Sequence, residues 1–305
     1  MAFNPDNTIL MDSMTGEIPA EHAGLIVKNV VDDSVVTKIA RYEAMTKPVK
    51  KFAYLAGGPG AYWVDETEKI QTSKPTWVEA QLETRKLGVI LLASNEALKW
   101  SVTNFFNDMR PEIAKAFQQK FDQAALFGTD SPYAPGISIF ERAKEAGNLV
   151  TAGTEGIYND VNAAIALVED GDHEAQALLT TRSANKDLRA AVDGQGRPIF
   201  NDAREGVTAS VLGLPVVYAN KKAWDTTKAT ALTGNFDSAV YGILQNIEYK
   251  ISTDAQLSTI TNADGTPINL YEQDMIALRA TMHIAFMTLT DDAFAGIVPG
   301  TEAGA

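Results

Sequence analysis

Residues 78–92 read VEAQLETRKLGVILL, and this stretch decides how the fold is interpreted. Apolar and polar side chains alternate as far as Glu83, a pattern typical of a strand with one face in solvent. Near Gly88 the phase of the alternation slips, and residues 89–92 are all apolar. The sequence therefore predicts a strand that leaves solvent at this point and enters a core.

The chain just before this strand supplies a partner for it. Residues 49–55 are predicted to form a strand, GGPG at 57–60 a turn, and residues 61–64 the start of another strand. The stretch 65–75 is polar except for Ile70. Together these segments predict a long two-stranded hairpin with a polar tip. Because an isolated ribbon is only marginally stable, it must lie on its own domain or on a neighbouring subunit.

Helical patterns lie on both sides of the hairpin. Apolar residues within 24–45 recur at helical spacing and predict either one long helix or a broken pair. A stronger pattern begins at Asp108, which we expect to cap the helix, and ends at Gly128, a residue type common just beyond helix C-termini. The apolar face of this helix is formed by Ile113, Phe117, Phe121 and Ala125.

From about residue 150 the chain alternates helix and strand patterns. Tyr158, Val161, Ile165 and Val168 form a helical stripe, and Gly171 ends it. The other predicted elements are a short helix at 94–100, a buried strand at 177–179, a helix at 182–192, a strand at 211–218 broken by a turn, a strand at 239–244, a hairpin turn at Asp264-Gly265, and a long strand, or a helix feeding a strand, at 268–290.

The composition excludes several classes of protein. The chain has 305 residues, 26 Lys and Arg against 39 Asp and Glu, a net charge of −13, and no cysteine. The absence of cysteine removes disulfides, thiol nucleophiles and iron–sulfur clusters. An acidic chain is a poor general binder of nucleic acid, because phosphate contacts need clustered Lys and Arg. No apolar run approaches the roughly 18 residues of a membrane span, so no membrane partner is expected.

The residues that could carry catalysis lack the spacing that catalysis needs. His22, His173 and His283 are far apart and form no metal-ligand motif. No G-x-S-x-G elbow is present. Glu66 and Glu68 could form an acid–base pair, but they lie in a polar loop that offers no apolar environment for such chemistry. We therefore predict no catalytic, cofactor-binding or metal-binding residue, no cofactor, and no enzymatic activity.

Two tryptophans are the most informative side chains. Trp63 and Trp77 flank the polar tip of the predicted hairpin, where a lone hairpin could not bury them. Exposed aromatic residues on a long arm indicate a partner surface. The residues therefore favour a protein that assembles over one that catalyses.

Several short motifs then occur in an order that is typical of one family. They are the hairpin at 49–86, RKLGVI at 85–90 with SNEAL at 94–98, the helix end FDQAALFG at 121–128, LGLPV at 212–216, and GNF at 234–236 with YGI at 241–243. In this order they resemble the major capsid protein of tailed bacteriophages, which has the Hong Kong 97 fold. The resemblance covers nearly the whole chain.

The resemblance implies an α+β fold of the Hong Kong 97 type with named parts. These are an N-terminal arm and helix in 1–47, an extended β-hairpin E-loop in 48–88, a peripheral domain with a long spine helix in 89–150 and 268–299, an axial α/β domain in 151–267, and a tail in 300–305.

The resemblance also implies a structural function. Many copies would assemble through hexamers and pentamers into an icosahedral head that encloses double-stranded DNA, in the host cytoplasm during assembly and finally in the virion. The implied partners are the chain itself, a portal protein, a decoration protein and packaged DNA bound without sequence specificity. Because only residues 1–47 precede the hairpin, guidance of assembly is expected from a separate scaffolding protein or from none.

Some members of the resembled family join subunits through an isopeptide bond between an E-loop lysine and an asparagine, assisted by a glutamate. In this chain Asp274 stands where the asparagine would be and Thr281 where the glutamate would be. We therefore expect no covalent crosslinking. The candidate inter-subunit contacts are Trp63, Lys69, Lys74, Trp77 and Arg85.

Two other functions remain open at this point. An encapsulin-type bacterial shell has the same fold and would hold enzyme cargo in place of DNA, although the long hairpin and arm favour the phage interpretation. A cytosolic α/β enzyme would use carboxylates such as Glu66 and Asp291, although the search for catalytic motifs argues against it.

Overall fold

The chain folds into two large β-sheets with helices packed on them. The computed structural model describes residues 8–9, 34–67, 69–96, 105–153, 156–192, 197–198, 200–201, 209–262 and 265–300. Most of the predicted arm at 1–23, most of the predicted helix at 94–100, the turn residue Asp264 and nearly all of the tail lie outside these ranges.

The strands are numbered in chain order. They are β1 (Thr8–Ile9), β2 (Arg41–Tyr42), β3 (Val49–Gly57), β4 (Thr76–Ser94), β5 (Leu149–Thr151), β6 (Ala177–Thr181), β7 (Phe200–Asn201), β8 (Ser210–Val211), β9 (Leu214–Ala219), β10 (Ala231–Gly234), β11 (Ala239–Ser252), β12 (Gln256–Thr261), β13 (Pro267–Asn269), β14 (Met275–Thr288) and β15 (Phe294–Val298).

The helices are numbered in the same way. They are α1 (Val35–Ile39), α2 (Phe105–Phe127), α3 (Ile139–Glu145), α4 (Ile157–Asp170) and α5 (Asn185–Ala190), with 3-10 turns at Arg182–Ala184 and Phe236–Ser238.

The first sheet has the strand order β1-β4-β14-β11-β2, and β3 pairs with β4 outside this path. The predicted long strand is confirmed as β4, in which Ala80 and Leu82 are buried while their neighbours are exposed. The phase slip falls at Arg85 and Lys86, which are both exposed, slightly before the predicted position at Gly88.

The hairpin is confirmed, but it has one strand fewer than predicted. β3 pairs antiparallel with β4 from Val49 opposite Glu83 to Gly57 opposite Thr76. The predicted strand at 61–64 is wrong, because these residues lie beyond the last pair of the ladder and no other described strand lies beside them.

The long helix α2 begins earlier than the sequence predicted. Asp108 lies inside the helix and not at its cap, and Pro111 is also interior. A proline in this position is costly unless packing offsets it, and Ile113 and Phe117 supply that packing against the first sheet. The predicted C-terminus is confirmed, since Gly128 has φ +65° and its N–H donates to Ala124 O at 3.0 Å.

The helix predicted from the pattern in 24–45 is only partly observed. Among the described residues of this range only α1 is helical, and residues 24–33 lie outside them. Arg41 and Tyr42 instead pair in parallel with Val240 and Tyr241 of β11. Sheet pairing therefore overrides the helical periodicity after residue 39.

The second sheet has the order β5-β15-β10-β6-β9-β8-β7 and is covered on both faces. Every residue of β6 and β10 is buried, which confirms the buried strand predicted at 177–179. Leu179 and Leu232 face a core that contains α3, whereas Leu178 and Ala231 face a core that contains α4.

The remaining predictions mostly hold. The helix at 158–168 is confirmed as α4, the helix at 182–192 is shorter than predicted, and the strand at 239–244 extends to Ser252. The ambiguous stretch 268–290 contains a long strand, β14. The turn that breaks 211–218 is formed by Leu212 and Gly213, both with positive φ.

The two sheets divide the strands differently from the predicted domain ranges. β11 falls in 151–267 but pairs with β14, and β15 falls in 268–299 but pairs with β10 of 151–267. The domain ranges therefore stay a prediction. No described helix is both long enough and apolar enough to cross a membrane.

Candidate assembly surfaces

The root of the hairpin is built into the body of the protein. Leu82 is fully buried in a cluster with Met45, Val240 and Ala285. Thr84 donates its N–H to Pro48 O at 2.9 Å, which closes the ladder where the hairpin leaves the first sheet. Lys50 and Glu43 form an ion pair beside it. The root is therefore held by both packing and hydrogen bonds.

The outer half of the hairpin exposes large apolar side chains. The exposed fractions are 104% for Trp63, 81% for Ile70 and 62% for Trp77. Lys69 and Lys74 are exposed on the same loop. Exposed apolar surface of this kind is unfavourable in water. A partner that covered these side chains would be stabilised by the removal of their apolar surface from water. The four candidates Trp63, Lys69, Lys74 and Trp77 thus all lie exposed on the outer part of the hairpin.

Arg85 lies apart from the other candidates. It stands at the root of the hairpin and pairs with Glu83 at 3.1 Å. It also lines a cleft of about 220 Å³ with Lys120 and Tyr133. Tyr133 donates its hydroxyl to Ile284 O at 3.2 Å, and burial raises the pKa of this tyrosine while Arg85 acts to lower it.

The two positions considered for crosslinking lie on or beside β14. Asp274 precedes the strand with φ +49°, and its side chain accepts a hydrogen bond from Asn95. Thr281 lies within the strand, opposite Gly88 on one side and Glu248 on the other.

Asp122 is a functional candidate that the sequence interpretation missed. It lies in α2, is only 3% exposed, and accepts hydrogen bonds from Ser34 Oγ at 2.5 Å, Val35 N at 3.0 Å and Val36 N at 3.2 Å. Asp122 therefore caps α1 from another helix and fixes the segment that leads into the hairpin. A charged residue next to Phe121 in the apolar part of a helix was the available signal.

The environment of Asp122 shifts its titration. Burial raises the pKa of the carboxyl from 3.8 to about 6, although the hydrogen bonds from Ser34, Val35 and Val36 and the charge of Lys38 act in the opposite direction. The network is consistent with a structural role, because all its donors come from the chain segment that it anchors.

One of the histidine candidates, His173, has a structural partner. His173 Nε2 lies 3.0 Å from Asp292 Oδ1, and Asp172 adopts φ +59° in the turn after α4. Glu66 is exposed, and Glu68 lies outside the described residues. Within the ranges that the structure describes, no group of three potential metal ligands is found.

The described residues thus form an α+β body with a long exposed hairpin that is anchored at its root. The model of the phage capsid family matches residues 16–298. The major capsid protein of Staphylococcus phage 80alpha is 41% identical over 98% of this chain and 90% of its own length. The chain belongs to the phage capsid family.

Solved structures support the same relationship. A chain from Microbacterium phage Oxtober96 has a TM-score of 0.78 and 27% identity, covering 93% of this chain and 95% of that one. A chain from Mycobacterium phage Adephagia has a TM-score of 0.79, covering 94% and 96%. Its identity of 22% makes it evidence for the fold alone.

Family membership settles the choice between the interpretations of the sequence. The resemblance to phage capsid proteins is confirmed, and the chain is a structural protein of the phage capsid that self-associates in the virion shell. The relatives are structural proteins, so the prediction that the chain is not an enzyme is confirmed. Neither the encapsulin nor the enzyme alternative is favoured.

Proposed function

We propose that this chain forms the icosahedral head of a tailed phage by assembling through hexamers and pentamers around double-stranded DNA. The observation that carries the proposal is the hairpin, which is anchored by Leu82 and exposes Trp63, Ile70 and Trp77 beyond its own body. Contacts between different patches of successive copies generate rings when the rotation closes, and we assign these rings as hexamers and pentamers.

The parts implied by the family pattern take roles in this assembly. We assign 48–88 as the E-loop, 89–150 and 268–299 as the peripheral domain around α2, 151–267 as the axial domain, 1–47 as the arm and helix, and 300–305 as the tail. Trp63, Lys69, Lys74 and Trp77 would contact a neighbouring copy, because their exposed side chains share the outer part of the hairpin. Arg85 would contact a neighbouring copy at the root of the hairpin.

Other partners follow from this role. A portal protein would occupy one vertex, a separate scaffolding protein would guide assembly in the host cytoplasm, and a decoration protein would bind outside. Packaged DNA would be enclosed without sequence-specific contacts. The net charge of −13 also does not suit strong binding to the DNA phosphates. Expression of the chain alone should give aberrant shells or capsomers, and uniform genome-sized shells would contradict the scaffolding assignment.

Negative-stain electron microscopy of the purified chain after size-exclusion chromatography tests the main proposal. Closed shells, or rings of five and six subunits, are expected. A monomer or dimer at high concentration would overturn the proposal.

We also propose that the mature shell is held without covalent crosslinks, because aspartate and threonine occupy positions 274 and 281. Denaturing gel electrophoresis of mature particles should show one band at the subunit mass of 32.9 kDa. A ladder of covalent oligomers would contradict this expectation.

A further inference from the structure

The second sheet has one edge that is rich in cations. β6 and β9 run parallel, with Thr181 opposite Ala219, so the chain segments that follow these strands lie at the same edge. Five exposed cationic residues occur in these segments, and we call them the basic edge: Arg182, Lys186, Arg189, Lys221 and Lys222. The carboxyl ends of parallel strands are also where open α/β sheets place their ligands.

The cations of this edge outnumber its carboxylates, although the chain as a whole is acidic. In residues 181–192 and 219–230 the carboxylates are Asp187 and Asp225. Asp225 accepts hydrogen bonds from Thr227 within its own turn. Arg182 and the three lysines of the basic edge form no ion pair with any described residue. The edge therefore presents positive charge that its own subunit does not neutralise.

A pocket of about 240 Å³ lies at the basic edge and is lined from both segments. Four of its lining residues carry hydroxyl groups: Thr181, Ser183, Thr226 and Thr230. The hydroxyls of Thr226 and Thr230 have no hydrogen-bond partner among the described residues. Serine and threonine hydroxyls, together with Arg and Lys, are common donors to the phosphate oxygens of DNA.

The opposite edge of the same sheet is acidic. Four exposed carboxylates lie at the end of α4 and in the segment before β6: Glu169, Asp170, Asp172 and Glu174. None of them forms an ion pair within the described ranges. Because β6 has five residues, the two edges lie roughly 16 Å apart at the usual rise per residue. Only the basic edge would therefore attract a polyanion.

We propose that the basic edge binds the phosphate backbone of packaged duplex DNA, with one phosphate group held at the hydroxyl-lined pocket. This assignment rests on the proposed shell function, since DNA is the polyanion that a phage head encloses, and it directs the basic edge towards the interior of the shell. Cations spread over two chain segments match phosphates that repeat along a strand. Contacts to phosphates carry no sequence information, so the binding is non-specific.

The acidic edge of a neighbouring copy is the competing occupant. Duplex DNA carries one negative charge per about 1.7 Å of helix axis, which is a denser row of charge than the four carboxylates of the acidic edge. Unpaired cations therefore gain more from DNA. The hydroxyl groups of the pocket favour a phosphate in the same way, because they donate to its oxygens.

Charge reversal tests the contact with DNA. Lys221→Glu combined with Lys222→Glu should weaken binding of the chain to a duplex of arbitrary sequence about tenfold at low salt, and should lower the slope of log affinity against log salt by about two. Lys47→Glu combined with Lys51→Glu makes the same change in net charge at two exposed sites and should leave binding unchanged. Fluorescence anisotropy of labelled DNA, below the protein concentration at which the chain assembles, measures both.

The pocket is tested separately by two variants. Asp187→Asn removes the carboxylate that lines the pocket and should tighten DNA binding about threefold, because it removes a repulsion from the phosphate. Thr226→Val removes a hydroxyl without a change in charge and should weaken binding about threefold. Asp172→Asn is the matched control on the acidic edge and should bind as the wild type does. Asparagine tolerates the φ of +59° at this position.

The outcomes separate the two proposals. A wild-type chain that forms no rings or shells contradicts the proposed function itself. If the wild type assembles but binds no DNA at low salt, or if the Lys221 and Lys222 double variant binds as well as its control, only the DNA contact is overturned. A double variant that binds DNA normally but assembles poorly would also overturn it, because the basic edge would then bind a neighbouring copy.

The pocket variants decide the position of the phosphate. Equal DNA binding by Asp187→Asn, Thr226→Val and the wild type would overturn the assignment of a phosphate to the pocket. All the substituted side chains are exposed, so each variant should unfold at the wild-type temperature in a thermal scan.

Discussion

The two sheets of this protein differ in how far they are buried within the chain. The second sheet has β6 and β10 buried at every position, with α3 on one face and α4 on the other. The first sheet has α2 on one face and a hairpin that extends away from it and exposes Trp63, Ile70 and Trp77. The second sheet is therefore covered within one chain, whereas the hairpin of the first sheet exposes apolar surface to solvent.

This difference predicts where substitutions affect folding and where they affect only assembly. A side chain in the cores flanking the second sheet contributes to the free energy of unfolding of the subunit. An exposed side chain of the hairpin contributes almost nothing to it. Three residues test this contrast, in order of the expected effect on stability: Trp224, Asp122 and Trp63.

Trp224→Ala should have the largest effect on the subunit. Trp224 is buried, packs edge-to-face on Phe127 with ring centroids 5.0 Å apart, and donates its Nε1–H to Ala229 O at 2.7 Å. Truncation leaves a cavity and an unsatisfied carbonyl, and should lower the free energy of unfolding by about 3–5 kcal/mol. Urea denaturation followed by circular dichroism measures this free energy of unfolding. A loss under about 1 kcal/mol would contradict the claim that the second sheet is stabilised within one chain.

The titration of Asp122 should have an intermediate effect. Because the folded-state pKa is raised to about 6, the folded chain keeps a proton between pH 4 and 6 that the unfolded chain has released. The stabilisation is therefore present below pH 4 and is lost as the pH rises through 6. A shift of about two units corresponds to a loss of at most about 3 kcal/mol.

Asp122→Asn is the control for this titration, because asparagine does not ionise. The variant should be less stable than the wild type at pH 4, since its amide nitrogen cannot accept a hydrogen bond from a backbone N–H. The stability difference between the two proteins should shrink as the pH rises from 4 to 7. A difference that is constant across this range would show that Asp122 titrates normally.

Trp63→Ala should have the smallest effect on the subunit and a large one on assembly. The side chain is 104% exposed, so its removal should change the free energy of unfolding by no more than about 0.5 kcal/mol. Assembly should weaken severalfold, because a neighbouring copy loses a large apolar contact. Normal assembly of this variant would remove Trp63 from the interface.

Regular patterns made the body of the fold predictable. The alternation through Ala80 and Leu82 identified β4, and the stripe from Tyr158 to Val168 identified α4. Short-range periodicity records which face of an element is buried, so it works where one chain covers that face. This is why β4 and α4 were predicted close to their observed bounds.

The errors arose where distant pairing decides the local structure. Tyr42 fits a helical stripe, but the edge of β11 beside Tyr241 is available to it, and sheet hydrogen bonds form instead. Asp108 resembles a cap, but α2 already begins at Phe105. The role of Asp122 depends on Ser34, which is far away in sequence. None of these long-range contacts leaves a pattern in a local window of residues.

A cryo-electron microscopy map of the assembled wild-type particle tests most directly whether a neighbouring copy covers the hairpin. We predict that the outer part of the hairpin lies against an adjacent copy, with Trp63 and Trp77 covered. A hairpin on which Trp63 and Trp77 remain exposed to solvent in the assembled particle would contradict this central claim.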